Sequence, residues 1–235
     1  MIKKTIILII IFGAIILIKD GSAKTEPVPS LFYLTWESDG GAPLNYEGKI
    51  LATIGSIIKV SVQPLIYSAG EYLDSSGWEY KWFLNDEIVA EAKGLKDFRF
   101  RAKDYNAASY KVRVKVVFSD QSFKEKELTI SIAKPKVLIK PFDAKVIIKG
   151  KNLETNNPEI KLQAVPYFFG GGSNNLRLSW YLNDQRQKED AVQNGILTVK
   201  KQDKINQYSV SVLMEDINDS LIRAVGELNI KFVGL

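Results

Sequence analysis

Trp82-Phe83-Leu84-Asn85-Asp86 returns as Trp180-Tyr181-Leu182-Asn183-Asp184, 98 residues further along the chain, and Tyr110-Lys-Val-Arg-Val returns as Tyr208-Ser-Val-Ser-Val at the same offset. Two landmarks kept at one spacing mark a duplicated supersecondary unit, because the distance between core residues is preserved together with their types. The residues around them follow a strand period. In Tyr110-Lys-Val-Arg-Val-Lys-Val116, Tyr110, Val112, Val114 and Val116 share one face while Lys111, Arg113 and Lys115 share the other, so one side packs and the other meets water. Trp82 and Trp180 are therefore expected in the core on a central strand, with Tyr110 and Tyr208 leading a later strand of the same core.

Working outward, the first copy predicts strands over residues 31–37, 56–65, 79–84, 97–101, 109–118 and 125–133, all rich in β-branched and aromatic residues. The second predicts them over 137–139, 144–149, 159–164, 177–182, 196–200, 207–214 and 224–233. Gly, Asn, Asp and Pro separate nearly all of them, and beyond the N-terminal segment no stretch keeps a 3.6-residue apolar period. The fold class is all-β: two tandem antiparallel sandwiches, each of about 100 residues and large enough for its own core. Ala133-Lys134-Pro135-Lys136 is the expected junction, since proline ends ladder pairing there and the second pattern begins at once. The expected division is 1–23, 24–134 and 135–235, with a link too short for free tumbling.

Tyr80-Lys-Trp82 with Asn85-Asp86, and Leu178-Ser-Trp180 with Asn183-Asp184, each followed by a Tyr-x-Val-x-Val strand, resemble the immunoglobulin-like and PKD-like repeats of bacterial surface proteins. The chain departs from the antibody type in having no cysteine to cross the sandwich beside the Trp. Trp36-Glu37, Pro43, Tyr46-Glu-Gly48-Lys49 and Gln163-Ala-Val-Pro166-Tyr-Phe-Phe169 are similar to exported tandem-repeat proteins of small-genome bacteria. These resemblances imply immunoglobulin-like sandwiches outside the cytoplasm, and they carry over no functional residue.

Three surfaces are candidates for partner contact. Tyr167, Phe168 and Phe169 stand together before Gly170-Gly171-Gly172-Ser173, and three adjacent aromatics cannot all enter one core, so at least one is expected to be exposed or to cover the domain junction. The matching loop of the first copy carries Leu65, Ile66, Tyr67, Tyr72 and Trp78. Lys111, Arg113 and Lys115, with Lys81 and Phe83 beside them, make a basic face whose counterpart in the second copy is Ser179, Tyr181, Ser209 and Ser211. Asp216, Asn218 and Asp219 with Glu215, or Asp86 with Glu87, offer oxygens, but their spacing fits tight turns better than a calcium loop. Gly170 to Gly172 is no phosphate loop, because no Gly-Lys-Ser/Thr follows.

Composition narrows the function classes. With no histidine the commonest general base and metal ligand are missing, and with no cysteine so are thiolate chemistry and disulfides. No Gly-x-Ser-x-Gly occurs. No cofactor is expected, nor catalysis. The formal charge of +5 falls to +3 once Lys3, Lys4, Lys19 and Asp20 are removed, leaving 29 basic against 26 acidic residues without the Lys/Arg block that a phosphate backbone requires. The partner expected is a protein or a surface glycan, not nucleic acid, with self-association or an assembly partner as the rival. The function expected is non-enzymatic binding and display at the envelope or cell surface, the alternative being a structural or accessory subunit of a filament, pilus or secretion apparatus.

Lys3-Lys4, an uncharged apolar run from Thr5 to Ile18 and the small residues Gly21-Ser22-Ala23 have the three-part layout of a secretory signal. Fourteen helical residues reach roughly 21 Å, short of the roughly 30 Å hydrocarbon core, which favours cleavage over a permanent anchor. Were the segment retained, residues 1–18 would be the membrane contact. Sequencing of the exported product is expected to start at Lys24; an intact Met1 would overturn the cleavage.

Overall fold

The computed structural model describes residues 31–68, 70–142, 148–170, 175–188, 192–193 and 195–233. The signal-like segment, the lead-in 24–30, Gly171 to Ser173 and most of the strand expected over 144–149 lie outside the described residues. Among the described residues, nine strands precede the Lys134-Pro135 link and ten follow it; the nine are β1 (Leu31–Ser38), β2 (Ile57–Leu65), β3 (Tyr67–Ser68), β4 (Glu71–Tyr72), β5 (Glu79–Leu84), β6 (Glu87–Lys93), β7 (Asp97–Arg101), β8 (Ser109–Val117) and β9 (Phe123–Ser131). The ten are β10 (Lys136–Pro141), β11 (Ile148–Lys149), β12 (Asn152–Thr155), β13 (Glu159–Tyr167), β14 (Leu176–Leu182), β15 (Gln185–Arg186), β16 (Val192–Gln193), β17 (Ile196–Lys200), β18 (Gln207–Asp216) and β19 (Arg223–Phe232).

In the first sandwich the sheet β1-β2-β7 packs on the sheet β6-β5-β8-β9. In the second, β10-β13-β17-β16 packs on β11-β12-β19-β18-β14-β15. Every second residue of β8 and β18 is buried, which is the period-2 pattern carried through to packing. The two cores are separate. Trp82 (0% exposed) sits among Ile58, Val60, Val112, Val114 and Ile130, and Trp180 (1%) among Leu162, Leu197, Val210, Val212 and Ile230. The sheet β10-β13-β17-β16, opposed to the run β14-β18-β19, follows the four-plus-three strand order of the immunoglobulin fold, with β15 and the β11-β12 hairpin extending the second sheet at its two edges. The chain is thus a tandem of immunoglobulin-like β-sandwich domains.

Each repeated residue performs the same task twice. The indole N–H of Trp82 donates to Leu95 O (2.9 Å) and that of Trp180 to Gly195 O (3.1 Å), so a buried donor is satisfied while a loop is tied to the core. Asn85 and Asp86 (φ 49° and 69°), like Asn183 and Asp184 (φ 49° and 63°), take the left-handed conformation that a two-residue hairpin turn demands. Asn85 Oδ1 accepts the Lys111 N–H (3.0 Å) and Asn183 Oδ1 the Ser209 N–H (2.9 Å), joining each turn to the neighbouring strand. The Tyr110 hydroxyl accepts from the N–H groups of Lys103 and Asp104, and that of Tyr208 accepts from Gln202 N–H and donates to Ile205 O.

The copies part after that turn. In the first, the chain continues for seven residues as β6 along β5. In the second, β15 lasts two residues and the chain crosses to pair as β16 with β17 in the opposite sheet. β6 lacks alternation because it is an edge strand with nearly every residue exposed, and its register shifts at a bulge opposite Trp82 and Phe83. Asn85→Ala and Asn183→Ala are each expected to cost about 1–3 kcal/mol in denaturant unfolding, from the left-handed backbone and the lost hydrogen bond. Asn→Gly at the same positions should cost clearly less, and equal losses would show that backbone conformation is not what selects asparagine.

Candidate functional site: the junction of the sandwiches

Strand polarity puts Leu31 and Phe232, at the outer ends of the first and last described strands, at opposite poles. Leu31 pairs with Leu65, away from Ile57, while β9 runs back toward the link and β19 runs away from it to Phe232. Between the poles, the segment after β1 reaches across to the second sandwich. Gly41 N–H donates to Phe169 O (2.7 Å) and Phe168 N–H donates to Gly41 O (2.6 Å), a two-bond antiparallel bridge between the domains. Tyr46 meets Tyr167 and Phe168 edge-on, with ring centres 6.1 Å and 5.7 Å apart.

The adjacent aromatics thus divide their roles. Phe169 is 1% exposed and belongs to the second core, which corrects its place among the partner-facing residues. Tyr167 and Phe168 are half-buried over the junction, with Tyr167 Oη also accepting from Lys140 Nζ (3.3 Å). Ile54 of the first sandwich packs against the second core. Beside it the two backbones touch: a Cβ on Gly170 would press on Ile54 O and lie 2.7 Å from Gly55 C and Ser56 N. Gly55 itself has φ 85°, and a Cβ there would lie 2.9 Å from Ile222 Cδ1. Sequence reasoning missed this pair. The only signal was that Gly170 closes an aromatic run and Gly55 sits in a tight turn.

Next to the glycine contact lies a cleft of about 600 Å³. Arg101, Lys103 and Tyr105 line it from the first sandwich, and Asn175, Asp216 and Asn218 from the second. Arg101 Nη1 donates to Gly55 O (2.6 Å). The nearly buried Asp216 accepts the Asn218 N–H with Oδ1 (2.8 Å), and Asp219 takes the Leu221 N–H on one oxygen and the Tyr105 hydroxyl on the other. Asp216 and Asp219 thus brace turns and Asp219 also ties the domains, while Glu215 pairs with Arg177 (3.8 Å) and Asp86 with Lys111 (3.3 Å).

Lys111, Arg113 and Lys115 do share one face, but it is not a free cationic patch. Lys111 lies between Glu127 (3.2 Å) and Asp86 (3.3 Å), and Arg113 pairs with Glu125 (3.3 Å) over the Phe83 ring. Lys115 sits over Phe123, and Lys81 pairs with Glu91 (2.9 Å). Glu127 with Asp86 holds the Lys111 ammonium above the usual lysine range; Lys81 holds Glu91 below the usual carboxylate range, and the Glu91 carboxylate, as hydrogen-bond acceptor for the protonated Glu79, pushes Glu79 up. Flanking strands and the Asn85-Asp86 turn supply the acids, which alternation within β8 alone does not reveal. In the second sandwich Ser179 is buried, accepting from Arg186 Nη2 (3.3 Å), rather than open to solvent.

Tyr67 lies at the pole away from the junction, edge-on to Tyr72 (5.2 Å), with its hydroxyl donating to Gly70 O. Both rings are exposed, Tyr72 at 66%. Trp78, grouped with them by sequence, is instead buried against Phe118.

No protein-family model matches the chain, and no curated protein sequence matches it. Solved structures do. The three N-terminal domains of the highly immunogenic outer capsid protein Hoc of bacteriophage RB49 match over 86% of this chain and 59% of theirs, at 16% identity and TM-score 0.44. The fibronectin(III)-like modules of Clostridium thermocellum CbhA match over 86% and 95%, at 13% identity and TM-score 0.29. The N-terminal Ig1-2 module of the Drosophila receptor tyrosine phosphatase DLAR matches over 85% and 98%, at 9% identity and TM-score 0.28. At such identities and scores the likeness carries no argument about function.

Gly170→Ala is expected to force the backbones apart and cost about 1–3 kcal/mol, the range for overpacking a filled site, while each domain keeps its near-ultraviolet Trp signal. Small-angle scattering should then show a wider spread of shapes than for the parent chain. An unchanged scattering profile and melting curve would contradict the close contact.

Proposed function

We propose that this chain is an exported, non-enzymatic protein of the cell envelope or surface, in which two domains joined end to end form a stiff spacer bearing a binding surface for a protein or glycan partner. The proposed domains are residues 24–134 and 135–235, behind a signal or anchor over 1–23. One observation carries this reading: the chain enters the first sandwich at the pole marked by Leu31, crosses a junction closed by backbone hydrogen bonds, and ends its last strand at the far pole. Strands of nine or ten residues at ~3.3 Å each give a rod of roughly 70 Å.

Two further features support it. The exposed Tyr67 and Tyr72 at the outer pole are the residue type that anchors interfaces. Three displaced surface carboxylates are held by structural partners: bonds from Ser76 hold Asp74 low, those from Ser122 hold Asp120 low, and Lys151 holds Glu227 low.

A subunit of an extracellular assembly is the second reading, favoured by the edge strand β6 with Ile88 (59%) and Val89 (41%) exposed. Light scattering coupled to size exclusion separates the two. The spacer reading expects a monomer at micromolar concentration with a largest dimension near ~70 Å; growth of mass with concentration would replace it by the assembly reading.

A further inference from the structure

We propose that the cleft between the domains binds a short, uncharged oligosaccharide. This rests on the binding-module reading above and adds a place and a ligand class to it. At about 600 Å³ the cleft lies within the roughly 300–1,000 Å³ typical of small-molecule sites, and it sits at a domain interface, where such sites concentrate.

Its chemistry excludes the other common ligands. Arg101 and Lys103 face Asp216 and Asp219, so the charges cancel: a polyanion would meet carboxylates and a polycation would meet the guanidinium. Apart from the Tyr105 ring, the apolar lining is confined to small or branched aliphatic groups such as Ile54 and Ile222, too little to hold an apolar ligand by burial. A peptide strand is held by main-chain pairing along a sheet edge, whereas this lining consists mainly of loop residues and strand ends. What the cleft does offer is a mixture of donors and acceptors. The Lys103 ammonium and the side-chain amides of Asn175 and Asn218 have no partner among the described residues, and Asp216 has used only one oxygen on a described donor. A neutral polyol can satisfy all of these at once, directly or through water.

Tyr105 completes the site. Tyr105 lines the cleft and is 46% exposed, and the bond from its hydroxyl to Asp219 fixes its orientation before any ligand arrives. An aromatic face held in place suits the C–H face of a pyranose. Because the two domains contribute opposite walls and are already locked, the site is formed in advance and little ordering is lost on binding.

The test uses the full chain in a sugar-free polyoxyethylene detergent on an array of neutral and charged oligosaccharides, followed by calorimetry with the neutral glycan best retained. The Asn175→Ala/Asn218→Ala double variant alters side chains that make no hydrogen bond among the described residues, so its melting temperature should match the parent while affinity falls at least about tenfold. Retention of no neutral glycan, a preference for charged ones, or equal affinity in the double variant would each overturn the proposal. In the last case the chain would still bind glycan and only the cleft would be ruled out. Self-association seen by light scattering would sink the spacer reading separately.

Discussion

Contact between Gly55 and Gly170 sets the shape of the molecule. Where two backbones meet with no side chain between them, the turn at residues 53–56 can push into the end of the second sandwich, and Ile54 can join that core. The turn that does so is itself braced. Ser56 Oγ accepts the Thr53 N–H and donates to Thr53 O, Gly55 N–H donates to Ala102 O, and Arg101 holds Gly55 O. A rigid knuckle in a tailored socket, flanked by the Gly41 bridge and the Tyr105 to Asp219 bond, makes one body of two domains whose cores meet only through Ile54 among the described residues. The cleft beside it follows from the same contact, since both walls are held by it.

Inside each domain the governing constraint is different. With no disulfide to staple the sheets, the indole fills the centre and its N–H ties down a loop, the Asn-Asp turn fixes the hairpin register, and the tyrosine hydroxyl organises the loop before its own strand. These three devices are what duplication kept. The surfaces diverged: one copy built a ladder of ion pairs on a long edge strand, the other shortened that strand and sent the chain to the opposite sheet.

This split explains what could be read from sequence. The strands around Trp82, Tyr110, Trp180 and Tyr208 were legible because burial on one face imposes a period of two, and β5, β7 and β17 begin and end where their residues suggest. β6 and β12 were not, since a strand exposed on both faces or four residues long carries no such signal. The junction was half legible. Three aromatics in a row showed that one must leave the core, but not that Tyr46 would receive it or that Gly170 mattered for what lies across the interface. Contacts between domains depend on relative placement, which no local pattern records.

A cysteine-free chain allows the locked junction to be measured directly. Spin labels on Lys126→Cys in β9 and Lys161→Cys in β13 report the distance between the two sandwiches by pulsed electron resonance. A single narrow distance distribution is expected, since backbone bonds and the glycine contact leave one arrangement. A broad or multi-peaked distribution would mean that the domains move independently, and the account of one stiff body would be wrong.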